Sequence, residues 1–473
     1  MLLKHTVMYA ITKLLPAIAT LIGISLFTRL LSPNEYGIYS LSLLIASAGS
    51  AIFFQWLSLA LGRYYQEGGR KQKDKLLSTI LISFLLISFF VFTVFFIAYL
   101  LLDNEVDFLL VAVLVLTGAW FELNQRLSNA DLRPRPYAIS LTIKSTLAVV
   151  GGYYFILFGF SVDGVLIALC VSYLLATFVQ FRYWKVFKLY LVDKKIFVQM
   201  LDYGLPLTLT FLMLFIINGS GKFFINYILD KSDVGMFSVA YDFTQYIIVT
   251  LCGVLHLAAF PLIIKAYSEK GEVEGKKQLL LSFGLLISVS VPLVFGLIST
   301  INELATIFLG VEFRESSIQL IPPIAIALLL MVLKSYYFDY AFQLAQNTKL
   351  QLVGVAGGAI TSFIANPILI SLNGVEGATY AMLISFFVYL VICIYLGKRV
   401  FDMPTIPWVN ILKVSLSCAL MILVIEHLTV SDLYLSLLAK ITLGSCIYFL
   451  TMLLLNYMGT KELLLNFLKV RKV

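Results

Sequence analysis

Fourteen stretches of this chain are each apolar for long enough to cross a lipid bilayer, and that constrains the fold more than any other feature. A spanning helix needs about 20 predominantly apolar residues. Such runs lie near residues 8–30, 38–62, 76–101, 108–124, 137–158, 164–181, 203–228, 236–261, 279–301, 318–340, 352–371, 378–396, 409–428 and 434–457. Composition agrees: the chain is 60% hydrophobic and 13% charged, against about 25% charged in soluble domains. So little polar surface does not cover a soluble body, which excludes a soluble enzyme, a disordered chain and a secreted disulfide scaffold. Five cysteines (Cys170, Cys252, Cys393, Cys418, Cys446) stand singly in apolar runs without a CxxC pair. They read as inert packing residues rather than metal ligands or bridges. The stretch Met1–Leu31 reads as a first spanning helix that serves as an uncleaved signal anchor.

The charges set the orientation. Every second connection is basic: Arg63 to Lys75, Arg126/Arg133/Arg135, Arg182 to Lys195, Lys265 to Lys277, Lys349, Lys398/Arg399 and the tail from Lys461 to Lys472. With Lys4 they place 25 basic residues on one side, whereas the other side holds Arg29, Lys231 and Arg314. The second side is acidic, with Glu105, Asp107, Asp163, Asp230, Asp233, Glu303 and Asp432 among its residues. The positive-inside rule then predicts both termini in the cytoplasm. Dispersed flanking charge of this kind forms no nucleic-acid stripe. Phe181–Met200, which mixes aromatics with lysine, reads as an amphipathic helix on the inner surface. No GxxxxGK[ST] phosphate loop occurs, so the chain is not expected to hydrolyse ATP.

Two halves of the sequence echo each other. Leu31-Ser-Pro-Asn-Glu-Tyr-Gly37-Ile-Tyr39-Ser40 lies in register with Leu229-Asp-Lys-Ser-Asp-Val-Gly235-Met-Phe237-Ser238. Val162-Asp163-Gly164 is echoed by Val375-Glu376-Gly377, and Phe121-Glu122 by Phe338-Asp339. Six helices separate the copies, an even number, so both halves cross in the same direction and predict a pseudo-twofold axis along the membrane normal. The expected fold is an all-α polytopic membrane protein of two six-helix lobes. Residues 1–185 form the first and 186–400 the second, which begins with the inner-surface linker; 401–473 adds two helices and a basic tail. Gly37 and Gly235 open new helices and read either as loop glycines or as hinges.

At these motifs the chain resembles the polysaccharide-biosynthesis transporters, the Wzx-type oligosaccharide flippases of the multidrug/oligosaccharidyl-lipid/polysaccharide exporter superfamily. The resemblance extends through Asp202-Tyr-Gly-Leu-Pro206, Asp233-Val-Gly-Met-Phe-Ser-Val-Ala240, Phe260-Pro261, Phe308-Leu-Gly310-Val-Glu-Phe313 and Asn373-Gly-Val-Glu-Gly-Ala378, over roughly residues 8–400. It implies a MATE-like fold in the bacterial cytoplasmic membrane. It implies flipping of undecaprenyl-pyrophosphate-linked repeat units for O-antigen, capsule or exopolysaccharide, with a polymerase and a chain-length regulator as partners. Many members are read with twelve spans, and fourteen matches the lipid II flippases instead. Where helix 7 of the family often carries an aspartate–arginine pair, this chain reads Asn218-Gly-Ser-Gly-Lys222.

Ionisable residues at membrane depth cost about 2.5–3.5 kcal/mol or more each and usually face a cavity or a partner. An amphiphile with a pyrophosphate head calls for cations, and lysine suits phosphate as a flexible point charge. Lys13 and Lys334, which lack an evident partner in sequence, are therefore the leading head-group ligands, with Lys144, Lys222 and Arg29 completing a cationic cleft between the lobes. Asp242, Glu122 and Asp339 are candidates for gating or ion coupling. Lys222 with Asp242, and Glu122 with Lys144, lie at matching depths and read equally as interhelical salt bridges. Asp339 is five residues beyond Lys334, about 140° around an α-helix, so the two are expected to point apart. Lys413 and Lys440 are expected to snorkel toward the interfaces. Gln55/Trp56, Tyr241/Gln245 and Tyr336/Tyr337 read as packing or as a sugar-stacking surface, and His256 as a packed, hydrogen-bonded histidine.

The expected activity is alternating access without a cofactor or catalytic set, coupled to an H⁺ or Na⁺ gradient or to the membrane potential. Flipping of another lipid-linked precursor (lipid II-like or teichuronic-type) is one alternative. A multidrug/cation antiporter is a second, although the excess of lysine argues against cationic drugs. A membrane-embedded polymerase or glycosyltransferase is disfavoured because no large external loop or cytosolic domain interrupts the spans.

Overall fold

The computed structural model describes residues 2–67, 69–102 and 105–461. Nearly all of them are helical. In order these are α1 (Leu2–Leu30), α2 (Pro33–Phe53), α3 (Gln55–Tyr64), α4 (Arg70–Leu101), α5 (Phe108–Ala130), α6 (Pro134–Leu157), α7 (Ser161–Thr177) and α8 (Lys194–Ile228). Then follow α9 (Lys231–Lys270), α10 (Glu272–Ser299), α11 (Ile301–Phe308), α12 (Val311–Leu333), α13 (Tyr340–Leu344), α14 (Thr348–Val400), α15 (Trp408–His427) and α16 (Leu433–Leu454). Twelve of the described helices are long and apolar enough to span a membrane. One of them, α14, is broken at Gly374, whose φ of 60° is open to glycine but strained for other residues, so it holds two of the fourteen expected runs. The all-helical, many-span class predicted from the sequence is the class observed.

Local signals place the ends. Ser32 and Glu35 form a reciprocal capping box at the start of α2, which satisfies two backbone N–H groups that the first turn leaves free. Asp107 accepts from the N–H groups of Leu109 and Leu110 at 2.8 and 3.1 Å, and Asp432 accepts from Leu435 at 2.8 Å. Some acidic residues that mark one side of the membrane in the sequence are thus also N-caps.

The inner linker departs from expectation. Phe178–Val186 is a 3₁₀ segment and not part of an amphipathic α-helix. Its polar side chains explain the tighter winding: Gln180 donates to Ser128 Oγ (3.2 Å), Tyr183 to Asp131 (2.8 Å) and the Trp184 indole to Asn124 (2.8 Å). These bonds tie the strip to α5 and the turn after it. Residues from Lys194 onward belong to α8, capped by Asp193.

Packing divides the chain into two compact units, Met1–Val239 with Ser362–Ala378, and Ala240–Thr361 with Thr379–Val473. In the first, α6 lies along α7 and α1, while α2 is held by α5 and α8. The same unit contains both copies of the first sequence echo, and they pack on each other reciprocally. A Cβ on Gly37 would stand 1.8 Å from the Lys231 carbonyl oxygen, and one on Gly235 would stand 2.0 Å from that of Pro33. Ser40 Oγ donates to Ser238 Oγ at 2.7 Å, across 198 residues of sequence. Lys231 stands to Pro33, Gly235 to Gly37 and Ser238 to Ser40 at one offset, so exchanging the copies maps the contact onto itself. That is the signature of a local twofold.

In the second unit α10 packs on α12 and α15, and α15 on α16. The Tyr448 and Tyr457 hydroxyls donate to the carbonyls of Ser288 (2.9 Å) and Gly284 (2.8 Å), fixing the last helix and the turn beyond it to α10. Lys440 does not snorkel. It pairs with Glu303 of α11, which also accepts from Ser436, because a buried carboxylate one helix away is a better partner than the interface. Lys413 donates to the Asn456 carbonyl at 3.2 Å, where it closes a chain turn.

Candidate functional site

Two clusters of intramembrane charge stand out, one in each unit, and they occupy equivalent places in the sequence duplication. The first is built on α5. Glu122, Gln125 and Arg126 share one helical face at spacings of three and four. Glu122 faces Ser50 of α2 and lies within charge–charge range of Arg126 and of Lys144 on α6. Lys144 sits over the Tyr173 ring of α7, with Nζ 5.3 Å from its centroid. The Arg126 Cδ lies 3.3 Å from where a Cβ would stand on Gly62 of α3. Five helices therefore converge on the cluster, yet Glu122 remains exposed and both cations half-exposed. The charged groups are thus flanked by several helices and still reachable. Glu122 and Lys144 lie within each other's field, but among the described residues no salt bridge joins them. Arg126, which reads in sequence as a flanking loop cation, belongs to the same site; its i,i+4 relation to Glu122 is the signal that could have found it.

The second cluster surrounds Lys334 and Asp339. Against expectation they do not point apart. Lys334–Phe338 forms a π-helical turn, closed by the Asp339 N–H donating to the Lys334 carbonyl at 2.9 Å. Five residues per hydrogen-bonded turn bring i and i+5 onto one face, and Lys334 Nζ lies 2.8 Å from Asp339 Oδ2. The pair is buried, at 3% and 5% exposure. Lys334 also donates to the Tyr389 hydroxyl, and Gln351 donates to Asp339 at 3.0 Å. Lys334 thus has both a carboxylate and a hydroxyl as partners.

Beside this turn a ladder of near-parallel rings runs through Tyr336, His256, Tyr340 and Phe260, with centroids 4.7 to 5.9 Å apart. The Tyr340 hydroxyl and His256 Nδ1 are 2.9 Å apart, so His256 is packed and hydrogen-bonded as read from the sequence. Trp56 and Tyr241 are buried, at 5% and 6% exposure, and present no stacking surface. Lys222 donates to Ser40 Oγ at 3.0 Å, Asp242 is half-buried on α9, and Arg29 is exposed at the end of α1. Lys13 falls within α1, but its side chain lies outside the described residues.

A family model described as Polysaccharide biosynthesis protein matches residues 26–318. No curated protein matches the chain in sequence. Among solved structures, the lipid II flippase MurJ in an inward closed conformation superposes with a TM-score of 0.80 at 16% identity, covering 95% of this chain and 99% of its own. An inward-facing multidrug resistance MATE family transporter of the MOP superfamily reaches 0.64 at 18% identity, covering 82% and 97%. A MOP superfamily transporter from Pyrococcus furiosus reaches 0.60 at 15% identity, covering 83% and 94%. At these identities the likeness establishes the fold: a multi-pass bundle of the kind these transporters share.

Proposed function

The chain belongs to the polysaccharide biosynthesis protein family, and from that premise we propose that it is a flippase for lipid-linked oligosaccharide. The substrate is undecaprenyl-pyrophosphate bearing a sugar repeat unit, moved from the inner to the outer leaflet of a bacterial cytoplasmic membrane for assembly into surface polysaccharide. The observation that carries the reading is the family match over residues 26–318. The fold supports it, because a protein named as a lipid II flippase has the same architecture along almost its whole length.

The physical task fits this chain. A diphosphate and a string of sugars cannot cross hydrocarbon unaided, since ions and unpaired polar groups are strongly disfavoured there. A bundle with cations at membrane depth offers the head group a polar path while the polyprenyl tail stays in lipid. Alternating access then releases the head group outward. Outward movement of negative charge is favoured by an inside-negative potential, by about 2.3 kcal/mol per unit charge per 100 mV. The membrane potential alone thus supplies a driving force, and an H⁺ or Na⁺ gradient acting at Asp339, Glu122 or Asp242 is the other route to resetting the protein. A polymerase and a chain-length regulator on the outer side are the partners such a product requires. Lys13, Lys144, Lys222 and Arg29 remain the proposed head-group ligands, and Lys334 joins them only when its pair with Asp339 opens.

Cells deprived of this protein are expected to lose surface polysaccharide and to accumulate the lipid-linked repeat unit on the inner leaflet. Both defects are reversed by the wild-type chain. Unchanged polysaccharide together with increased sensitivity to cationic drugs would instead establish the antiporter reading.

A further inference from the structure

The two charge clusters are copies that have diverged. Glu122 and Asp339 hold the same place in the duplicated motif, Phe121-Glu122 and Phe338-Asp339. The later copy has closed on itself, with one carboxylate and one ammonium in contact at 2.8 Å and both nearly inaccessible. The earlier copy has stayed open. Among the described residues no direct salt bridge joins Glu122 to Arg126 or to Lys144, although each cation lies within its field. One carboxylate between two cations leaves a surplus of one positive charge. Beside it Gln125 is 8% exposed, and neither its amide nitrogen nor its amide oxygen has a partner among the described residues. An unmet buried amide is costly. On the same helical face as two held-apart charges, it marks a place prepared for a polar ligand.

Resting on the flippase reading, we propose that Arg126 and Lys144 form a diphosphate-binding subsite. Glu122 is its built-in counter-ion, a negative charge that holds the cations in place and competes with the ligand. Arg126 supplies a planar fork that grips two oxygens at once, and Lys144 supplies a mobile point charge. The carboxylate keeps the site from binding too tightly to release.

The test uses the purified full-length protein in neutral-lipid nanodiscs, with inorganic pyrophosphate as the probe and calorimetry as the readout. Wild type is expected to bind pyrophosphate more tightly than orthophosphate. Arg126→Gln and Lys144→Gln are each expected to weaken pyrophosphate binding at least tenfold, and Arg126→Lys and Lys144→Arg to recover part of it. Glu122→Gln is expected to bind pyrophosphate more tightly than wild type, a sign that a merely structural carboxylate would not produce. Lys413→Gln, at a cation outside the cluster, is expected to bind as wild type.

The proposal is overturned if either glutamine variant binds pyrophosphate as wild type does, or if Glu122→Gln weakens binding. It is also overturned if orthophosphate, or nanodiscs of anionic phosphatidylglycerol, occupies the site as tightly as pyrophosphate. Where a glutamine variant does not fold, the conservative variant and Glu122→Gln decide the matter. Pyrophosphate binding that depends on these residues in a protein that flips no lipid-linked sugar would uphold the subsite and sink the transport reading. Flipping that survives both glutamine variants would do the reverse.

Discussion

Alanine at Gly37 or at Gly235 is expected to prevent this protein from reaching its native packing. A methyl carbon at these positions would lie 1.8 or 2.0 Å from a backbone carbonyl oxygen, well inside van der Waals contact, and backbone cannot rotate away as a side chain can. Overpacking a core commonly costs about 1–3 kcal/mol. A clash of backbone against backbone is expected to exceed that range, because it pushes the start of α2 off the start of α9 at both glycines. It would also break the Ser40–Ser238 hydrogen bond. Thermal unfolding in detergent should show a large drop in the midpoint, or no folded material, for either variant. Gly296→Ala is the control: its nearest side-chain neighbour is Met421 at 3.8 Å, so the methyl fits, and the helix gains propensity of about 1 kcal/mol. Because the contact is reciprocal, the two alanine variants should fail alike. A tolerated Gly37→Ala beside a destructive Gly235→Ala would mean that the local twofold does not hold the fold together.

The second large effect is expected at the π-helical turn. Lys334→Met leaves the Asp339 carboxylate buried without its cation, and Asp339→Leu leaves the ammonium without its anion. Breaking a buried pair from one side commonly costs about 3–5 kcal/mol, whereas replacing both partners with apolar groups of similar size is often close to neutral. Each single variant should therefore be strongly destabilised, and Lys334→Met/Asp339→Leu should recover most of the loss in a double-mutant cycle. The transport assay then separates two roles. If the pair only braces the turn, the double variant regains flipping along with stability. If it is a lock that opens during transport, the double variant is stable but does not flip. A double variant as unstable as the single ones would show that the charges are not coupled.

The fold was largely legible because its governing signals are local. Apolar runs of spanning length and the alternation of basic with acidic connections are both read from neighbouring residues. The first echo was legible too, since Leu, Gly, aromatic and Ser recur in register, and the reciprocal packing of Gly37 on Gly235 gives those positions their physical reason. The charge clusters were legible only in part. Matching depth puts Glu122 level with Lys144, but Arg126 reads as a loop cation because α5 runs on to Ala130, further than its apolar run suggests. At Lys334 an ideal 3.6 residues per turn points the pair apart, and the π turn reverses the geometry. Nothing in Lys334-Ser-Tyr-Tyr-Phe announces such a turn, because the burial that drives Lys334 onto Asp339 and Tyr389 comes from tertiary packing. Lys440 is hidden for a different reason: its partner Glu303 lies 137 residues away.

The most direct measurement is leaflet-to-leaflet movement in proteoliposomes. The purified chain would be reconstituted with undecaprenyl-pyrophosphate carrying a labelled oligosaccharide, and a membrane-impermeant sugar-modifying enzyme would report the fraction facing outward. Protein-dependent exposure of the lumenal pool is expected, accelerated when the imposed potential pulls the anionic head group outward and slowed when it is reversed. Exposure no faster than in protein-free vesicles, from protein that is folded and retains its melting transition, would contradict the flippase reading.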